Sequence, residues 1–551
     1  MNYEMKSTFG ARSEVGIRRK CNFSEGEAQC VISKHKVTSA NAQRERYRAE
    51  RNKAKPSFTF ANGKNFTHSE GMDFTRRRRI SPTRSVDFTV IIQPRLNYDH
   101  GGILMYDVLI IGGATSGSFF ARRMAEQGFS VLVADASTEE KIGSKYDIFH
   151  MCKRDFDNFG LPPADKTDGT WAFEFSEGLT ASPYNNYPKT TYDTIVGMHM
   201  HEYVLKMNRW AKQAGAEYMY GAKFTSPIFE NGRIAGVKCL KNGEEQEIYA
   251  KVIVDCSGMG GVVRTSLPTG YGVENFTLGG NDMFYVILRY VSLKNEKDYL
   301  NGSCGWPFYK TWIAPQHDEH GAILGIGACN SFSQAEDIYK IFEENIPLPE
   351  HEIQYFEKGT TPYCRCPYSF VADNFIATGD AACLTKPLNG EGITSSMVHM
   401  EIAARVLGKA LKNGRTRKED LWQINTLYNK AQGADFCFLR AVLTKAVCAK
   451  ADEWEYFFEN DIIFSEDLMN AVSTGEEIPL TPETIGNMLK NIARGIKNGK
   501  ISTATLKTVG AGVMLGINLK NHYLAFPENP VDFDKWCKKA DSLWAKVGKM
   551  Q

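Results

Sequence analysis

Seven residues of this chain, Gly112-Gly113-Ala114-Thr115-Ser116-Gly117-Ser118, separate an apolar run of strand length, Tyr106 to Ile111, from a segment of helical composition, Phe119 to Ala125. Small residues at such a turn let backbone N–H groups approach a pyrophosphate, and the following helix presents the positive end of its dipole. Ala114 stands where the dinucleotide fingerprint has its second glycine, so one methyl narrows the approach. Gly128-Phe129 ends the helix, Ser130 to Ala134 reads as a second parallel strand, and Asp135 closes it where a ribose-hydroxyl acceptor belongs. An acid there disfavours a 2′-phosphate. The competing reading is a plain glycine-rich turn in a structural βαβ unit.

A second segment repeats the logic of strand, glycine and acid. Phe375-Ile376-Ala377-Thr378-Gly379-Asp380-Ala381-Ala382 is followed by Pro387-Leu388-Asn389-Gly390-Glu391-Gly392-Ile393, which opens a helix through Met397 and Met400. Between the two segments, Phe224 to Glu230, Arg233 to Leu240 and Glu247 to Val254 are joined by Asn231-Gly232 and Lys241-Asn242-Gly243, the turn chemistry of a β-meander. Its last strand runs into Asp255-Cys256-Ser257-Gly258-Met259-Gly260-Gly261-Val262-Val263-Arg264, and Gly258 in this cluster marks another close approach of backbone to ligand.

The order of these segments resembles the p-hydroxybenzoate hydroxylase-like superfamily of FAD-dependent oxidoreductases. Gly379-Asp380-Ala381-Ala382 with the Pro387 to Ile393 segment resembles its geranylgeranyl reductase-like branch, over about residues 105 to 410. The resemblance implies FAD as cofactor, with Asp380 on the ribityl chain. It also implies that the amides of Gly390, Glu391, Gly392 and Ile393 lie near flavin N1 and the C2 carbonyl, where reduction places negative charge. Two departures bear on function. The family's helix arginine is replaced by Met200, between His199 and His201, which either contact the cofactor or are ordinary surface or core histidines. The family's Asp-Gly before Val-Arg appears as Ser257-Gly258, which argues against direct reduction by NAD(P)H.

On the substrate side, Cys304 to Pro315 and Gly321 to Gly327 interleave aromatic residues and glycine as an antiparallel cavity wall does, with Trp306, Tyr309 and Trp312 as candidate substrate contacts. Trp312-Ile313-Ala314-Pro315 partly resembles the Tyr-x-Trp-x-Phe-Pro signature of geranylgeranyl reductases, with Lys310 at the tyrosine, and equally a fragment of a flavin-halogenase motif; an ordinary core strand is the plainer reading. No residue declares itself as the proton donor, so the catalytic residue is left unassigned. After Arg405 the apolar spacing is helical. Trp454, Tyr456, Phe457 and Phe458 there either pack a cap or line a lipid-sized pocket.

The expected fold is therefore α/β with antiparallel β: a Rossmann-like FAD-binding domain (105–265 and 371–410), an inserted β-sheet substrate domain (266–370) and a helical C-terminal cap (411–551). The expected function is a flavin reductase or dehydrogenase acting on an apolar, prenyl-like C=C bond, with an aromatic monooxygenase, a halogenase or an electron-transfer flavoprotein as alternatives. Ferredoxin, flavodoxin or NAD(P)H are the candidate electron donors.

Composition narrows the setting. Residues 1–104 carry 20 Lys and Arg against 10 Asp and Glu, which leaves 46 against 54 for the rest, an acidic body unsuited to nucleic acid. No apolar run approaches the roughly 18 residues of a membrane span, so the expectation is a cytoplasmic protein, with contact at a membrane surface left open. The 13 cysteines show no metal spacing; Cys364 and Cys366 read as two buried thiols of a strand, and no metal is expected. Residues 1–104 lack apolar periodicity and are expected to be a disordered leader, or to precede the true start: Gly101-Gly102 codons can read GGAGG at initiation distance from Met105.

Overall fold

The computed structural model describes residues 97–98, 104–295, 302–306, 309–315, 321–345, 348–462, 464–474 and 481–548, all within one compact unit, Thr89–Gln551. The reading of residues 1–104 as a leader lies almost entirely outside them. Asn97–Tyr98 is described there with Leu104, paired antiparallel with the start of the Leu104–Ile111 strand.

Two sheets carry the architecture. In the first, Leu104–Ile111 lies between Val131–Asp135 and Glu244–Asp255, parallel to both. Glu217–Tyr220 extends one edge in parallel and Phe375–Ala377 the other. The chain leaves Leu104–Ile111 for one neighbour and returns much later to the other, so the Gly112 turn sits at a topological switch point, where open α/β sheets bind ligands. Val108, Leu109 and Ile110 are completely buried, as a strand covered on both faces requires. The Thr115–Ala125 helix packs on this sheet through Phe119, Phe120, Ala121 and Met124. The meander follows the sequence closely: Lys223–Glu230, Arg233–Lys241 and Glu244–Asp255 are joined by turns in which Asn231, Gly232, Asn242 and Gly243 all have positive φ. Two left-handed residues in a row make the turn twist match the strands.

The second sheet has eight strands and is mostly antiparallel. Met283–Leu293, Tyr309–Pro315, Gly321–Ala328 and His351–Pro362 come from the expected substrate segment, but Ile148–Cys152, Trp171–Ala181 and Lys189–His199 join them. The 105–265 stretch therefore contributes to both sheets. Those strands alternate weakly and leave many side chains accessible, so the sequence carries little period-2 signal there. The Phe332–Asn345 helix covers one face through Ala335, Ile338, Tyr339 and Phe342.

Beyond the Ile393–Lys412 helix the chain is helical, with a π-turn at Asn429–Gly433 and long helices at Ala434–Ala446, Pro482–Lys497, Thr503–Leu524 and Phe533–Val547. Tyr456, Phe457 and Phe458 are buried, and Trp454 packs edge-on to Phe457 and against Phe464, so these aromatics pack the helical region together. Among the described residues no helix is long and apolar enough to cross a membrane.

Ile110→Ala at the centre of the parallel sheet should cost about 2–5 kcal/mol, because both faces are packed and the cavity cannot collapse onto solvent; urea unfolding followed by circular dichroism would measure it.

Candidate flavin site

Backbone crowding explains the glycines of the first turn. Gly112 has φ +102°, and a Cβ there would lie 2.3 Å from the carbonyl oxygen of Cys256 at the end of the neighbouring strand. A Cβ on Gly117 would lie 1.8 Å from the Gly112 oxygen, so the first helical turn presses on the loop that feeds it. Ala114 precedes the helix in extended conformation; no side chain caps the helix and no acid occupies its first turn. The N-terminus is thus uncapped and electropositive, the condition for holding a phosphate. Asp135 accepts from the Gly113 N–H at 2.7 Å and the Ser137 N–H at 2.7 Å, which ties the acid to the turn.

The Ser257-Gly258 loop is organised by a residue whose role no sequence motif announces. Asp255 is fully buried and accepts from the N–H and hydroxyl of Ser257 and from the N–H groups of Val263 and Arg264. Burial pushes its carboxyl upward, and the hydrogen bonds from Ser257 and Arg264 pull it back in part. Gly258 has φ +74°, and a Cβ there would meet nothing within 4 Å, so its outer side is open. Arg264 is also buried. Its Nε donates to the Ala381 carbonyl at 2.6 Å and its Nη1 to the carbonyls of Glu274 and Phe276. The guanidinium therefore joins the loop after Glu244–Asp255 to the Gly379–Ala382 turn. The Val-Arg pair was visible in the sequence, but nothing there says that its arginine faces backbone 117 residues away.

That turn meets the first anchor directly. The Thr378 N–H donates to the Asp255 carbonyl, and a Cβ on Gly379, whose φ is +64°, would lie 2.9 Å from Ser116 Oγ. A Cβ on Gly392 would come within 3.4 Å of Asp380 Oδ1, and the Thr385 hydroxyl donates to the same oxygen at 3.4 Å. Burial raises the Asp380 carboxyl, offset in part by Lys145 and Thr385. Gly390 has φ +75°, the Lys386 N–H closes onto the Glu391 carbonyl, and the 20-residue Ile393–Lys412 helix begins without a side-chain cap or an acid in its first turn. Gly112 to Gly117, Asp135, Gly258, Gly379, Asp380 and Gly390 to Ile393 thus converge on one region served by two uncapped helix N-termini. This donor set suits a cofactor that carries a pyrophosphate at one end and gains negative charge on a ring at the other.

A concave recess adjoins it. His150, Lys310 and Asp380 retain accessible surface although protein atoms surround each of them, so they face interior space. Lys310 Nζ donates to the Asn389 carbonyl at 3.1 Å, reaching the loop that precedes Gly390, and lies 5.3 Å from the Trp312 ring centroid on the same strand face. Trp312 lies over Gly325 of the neighbouring strand, where a Cβ would be 1.9 Å from the indole. Trp306 and Tyr309 are paired across the hairpin of the same sheet; their side chains lie outside the described residues. Burial lowers Lys310 to about 8, with Glu391 opposing, and lowers His150 to about 4, helped by Lys310. Burial raises Tyr146 to about 12, with the charges of Asp380 and Glu357 adding.

Three sequence candidates act on the loop beside the site, whose Ile142 packs at Gly113 and whose Lys145 lies beside Asp380. His199 Nδ1 lies 3.2 Å from Asp147 Oδ1, and His201 Nδ1 lies 2.6 Å from the Ile142 carbonyl; both fasten the Ile142–Asp147 loop. Met200 only begins the Met200–Lys212 helix. Cys364 and Cys366 are not strand residues. They follow the His351–Pro362 strand in a loop and are half-buried, because Pro362 and Pro367 bracket a segment that turns back towards Cys383. A separate cleft of about 610 Å³, lined by Asn460, Asp467, Asn487, Asn491 and Arg494 among others, shares no residue with the glycine loops.

Residues 107–283 match the FAD dependent oxidoreductase family model. The chain is 24% identical over 467 residues to digeranylgeranylglycerophospholipid reductase of Sulfolobus acidocaldarius, covering 81% of this chain and 99% of that protein. The enzyme of the same name from Methanoculleus marisnigri is 26% identical over 327 residues, covering 57% and 80%. The crystal structure of a geranylgeranyl bacteriochlorophyll reductase-like protein from Thermoplasma acidophilum superposes with a TM-score of 0.60 at 19% identity, over 74% of this chain and 99% of that one. A flavin-dependent brominase superposes with 0.53 at 15%, over 72% and 100%, and shares the fold. The chain is an FAD-dependent oxidoreductase. Its resemblance to the geranylgeranyl reductase-like branch, first carried by the Gly379 and Gly390 segments, is upheld by these relatives.

Asp380→Ala should weaken FAD at least ~10-fold, the worth of one hydrogen bond to a charged group, while the far-ultraviolet circular dichroism stays unchanged; fluorescence titration of FAD checks it, and undiminished affinity would remove Asp380 from the site.

Proposed function

We propose that the protein reduces a C=C bond of an apolar, prenyl-type substrate held in the recess beside Lys310 and Trp312. When bound, FAD supplies the hydride, through N5. The chain's own residues supply position, charge and a proton. The glycine turn and the start of the Thr115–Ala125 helix hold the pyrophosphate, Asp135 a ribose hydroxyl and Asp380 the ribityl chain. The amides at Gly390 to Ile393 stabilise negative charge on the ring, and Trp312 forms part of the apolar wall that excludes water.

Lys310 carries this reading, because, of His150, Tyr146 and Lys310, it best matches the acid that the reaction needs. At pH 7 the His150 imidazole, near 4, is neutral and a very weak acid, and the Tyr146 hydroxyl, near 12, holds its proton too tightly. A lysine near 8 is mostly protonated yet poised to donate, the condition under which general acids work best. Nicotinamide is a poor fit as donor, given Ser257-Gly258, so a ferredoxin or flavodoxin is the proposed source of electrons. A cytoplasmic protein working at a membrane surface, where prenyl lipids lie, is consistent with this substrate.

With the full chain reduced anaerobically, prenyl alkenes should reoxidise the flavin and appear as saturated product. Rapid reoxidation by O2 with hydroxylated or halogenated product would instead establish the oxygenase or halogenase alternative. Lys310→Met should lower the hydride-transfer rate by about 10²-fold or more with little change in FAD affinity. In the unmodified enzyme the rate should fall as pH rises through about 8, as the ammonium is lost, and this alkaline limb should vanish in the variant.

A further inference from the structure

The Gly321–Ala328 strand presents two unlike faces. Leu324 and Ile326 pack with Ile338 and Phe342 of the Phe332–Asn345 helix, whereas Gly325 and Gly327 share the opposite face. Glycine weakens a strand interior and marks a place where something else comes close. Residues opposite one another in a sheet project from the same face. Lys310, Gly327, Val286 and Gly359 therefore form one row across four strands, with Trp312, Gly325 and Leu288 in the row beside it. Lys310 and Gly359 stand three strand spacings apart, ~14 Å.

This face looks onto the turns assigned to the cofactor. At one end Lys310 Nζ donates to the Asn389 carbonyl, and at the other the hydroxyls of Thr361 and Thr385 lie 3.0 Å apart. Thr361 is two residues beyond Gly359 on its strand and shares its face. Between those contacts each glycine is overlaid by an aromatic side chain. A Cβ on Gly325 would lie 1.9 Å from the Trp312 indole, one on Gly327 2.0 Å from the Phe284 ring, and one on Gly359 1.3 Å from the Tyr146 hydroxyl. No ring can stay in place if its glycine gains a methyl. Trp312 and Phe284 come from the two strands that flank Gly321–Ala328, and Tyr146 from the loop that carries Lys145. The three side chains lie low against the sheet, and all of them, with Val286 and Leu288, stay partly accessible. Together they make an apolar floor under the recess.

We propose that Gly325, Gly327 and Gly359 determine substrate specificity by setting the depth of this recess. Because Trp312, Phe284 and Tyr146 lie low over them, a slot remains between the sheet and the Gly379 and Gly390 turns that takes a methyl-branched chain. Depth decides the matter for such a chain, since every branch adds a methyl to its cross-section. A methyl on any of the three glycines lifts a ring into the slot, and branched chains are excluded before unbranched ones. The inference rests on the apolar, prenyl-type substrate proposed above and adds which residues decide the shape that fits.

The FAD-loaded full-length protein is titrated with farnesol and with dodecanol, which has the same chain length and no branches, and binding is read from the flavin absorbance. Gly325→Ala and Gly327→Ala should each weaken farnesol ~10-fold or more, the worth of a methyl-sized misfit in an apolar pocket, and dodecanol by much less, with FAD affinity unchanged. Gly359→Ala should weaken farnesol in the same way. Trp312→Leu in the Gly325→Ala protein and Phe284→Leu in the Gly327→Ala protein should restore farnesol. These double variants relieve the clash, so they test the inference even where a single variant does not fold. Folded single variants that bind both alcohols as the unaltered protein does would overturn the inference, and so would equal losses of both that the smaller side chains do not restore. If the unaltered protein binds neither alcohol, the apolar-substrate reading falls and this inference with it.

Discussion

The structure depends on two buried polar side chains, Asp255 and Arg264, joined through the Arg264 backbone N–H. Asp255 gathers four donors from the loop that follows its own strand, and Arg264, whose N–H is one of those donors, spends its guanidinium on carbonyls of Ala381, Glu274 and Phe276. Such groups are costly to bury unless every polar atom finds a partner, and removing one partner from so closed a set costs several kcal/mol. The loop and the turn are therefore held in one relation. With Gly112 pressed against Cys256 and Gly379 against Ser116, the two ends of the cofactor site come together from segments more than 250 residues apart.

Much of that was legible in the sequence because the constraints are local. A strand, a turn without side chains and a helix must be contiguous to hold a pyrophosphate, and Asn-Gly turns announce a meander before any tertiary contact exists. The Gly379 and Gly390 segments were legible for the same reason. What could not be read was tertiary. Strands 148–152, 171–181 and 189–199 are too polar and too exposed to declare their sheet, and Asp255 looked like an ordinary strand end. Lys310 was visible only as a departure from a tyrosine, and its place beside Asn389 comes from a hairpin that carries it across the recess. Cys364 and Cys366 looked like a strand pair because only the fold shows that the chain turns at Pro362.

The recess shows how one environment sorts three titratable groups. The enclosure that strips His150 of its proton and fastens the one on Tyr146 leaves Lys310 between them, since a cation starting near 10.5 has further to fall before it is neutral at pH 7. The glutamate at 391 moderates that fall, so the residue that follows Gly390 bears on both the ring's surroundings and the acid's strength.

The central claim is that the glycine turn and the Gly-Asp turn hold a single FAD between them. Isothermal titration of the full chain with FAD, repeated in the presence of ADP, tests it most directly, because ADP carries only the half that the Gly112 turn is held to grip. One equivalent of FAD per chain, bound more tightly than ADP and displaced competitively by it, is the predicted result; FAD binding that ADP leaves unchanged would contradict the account.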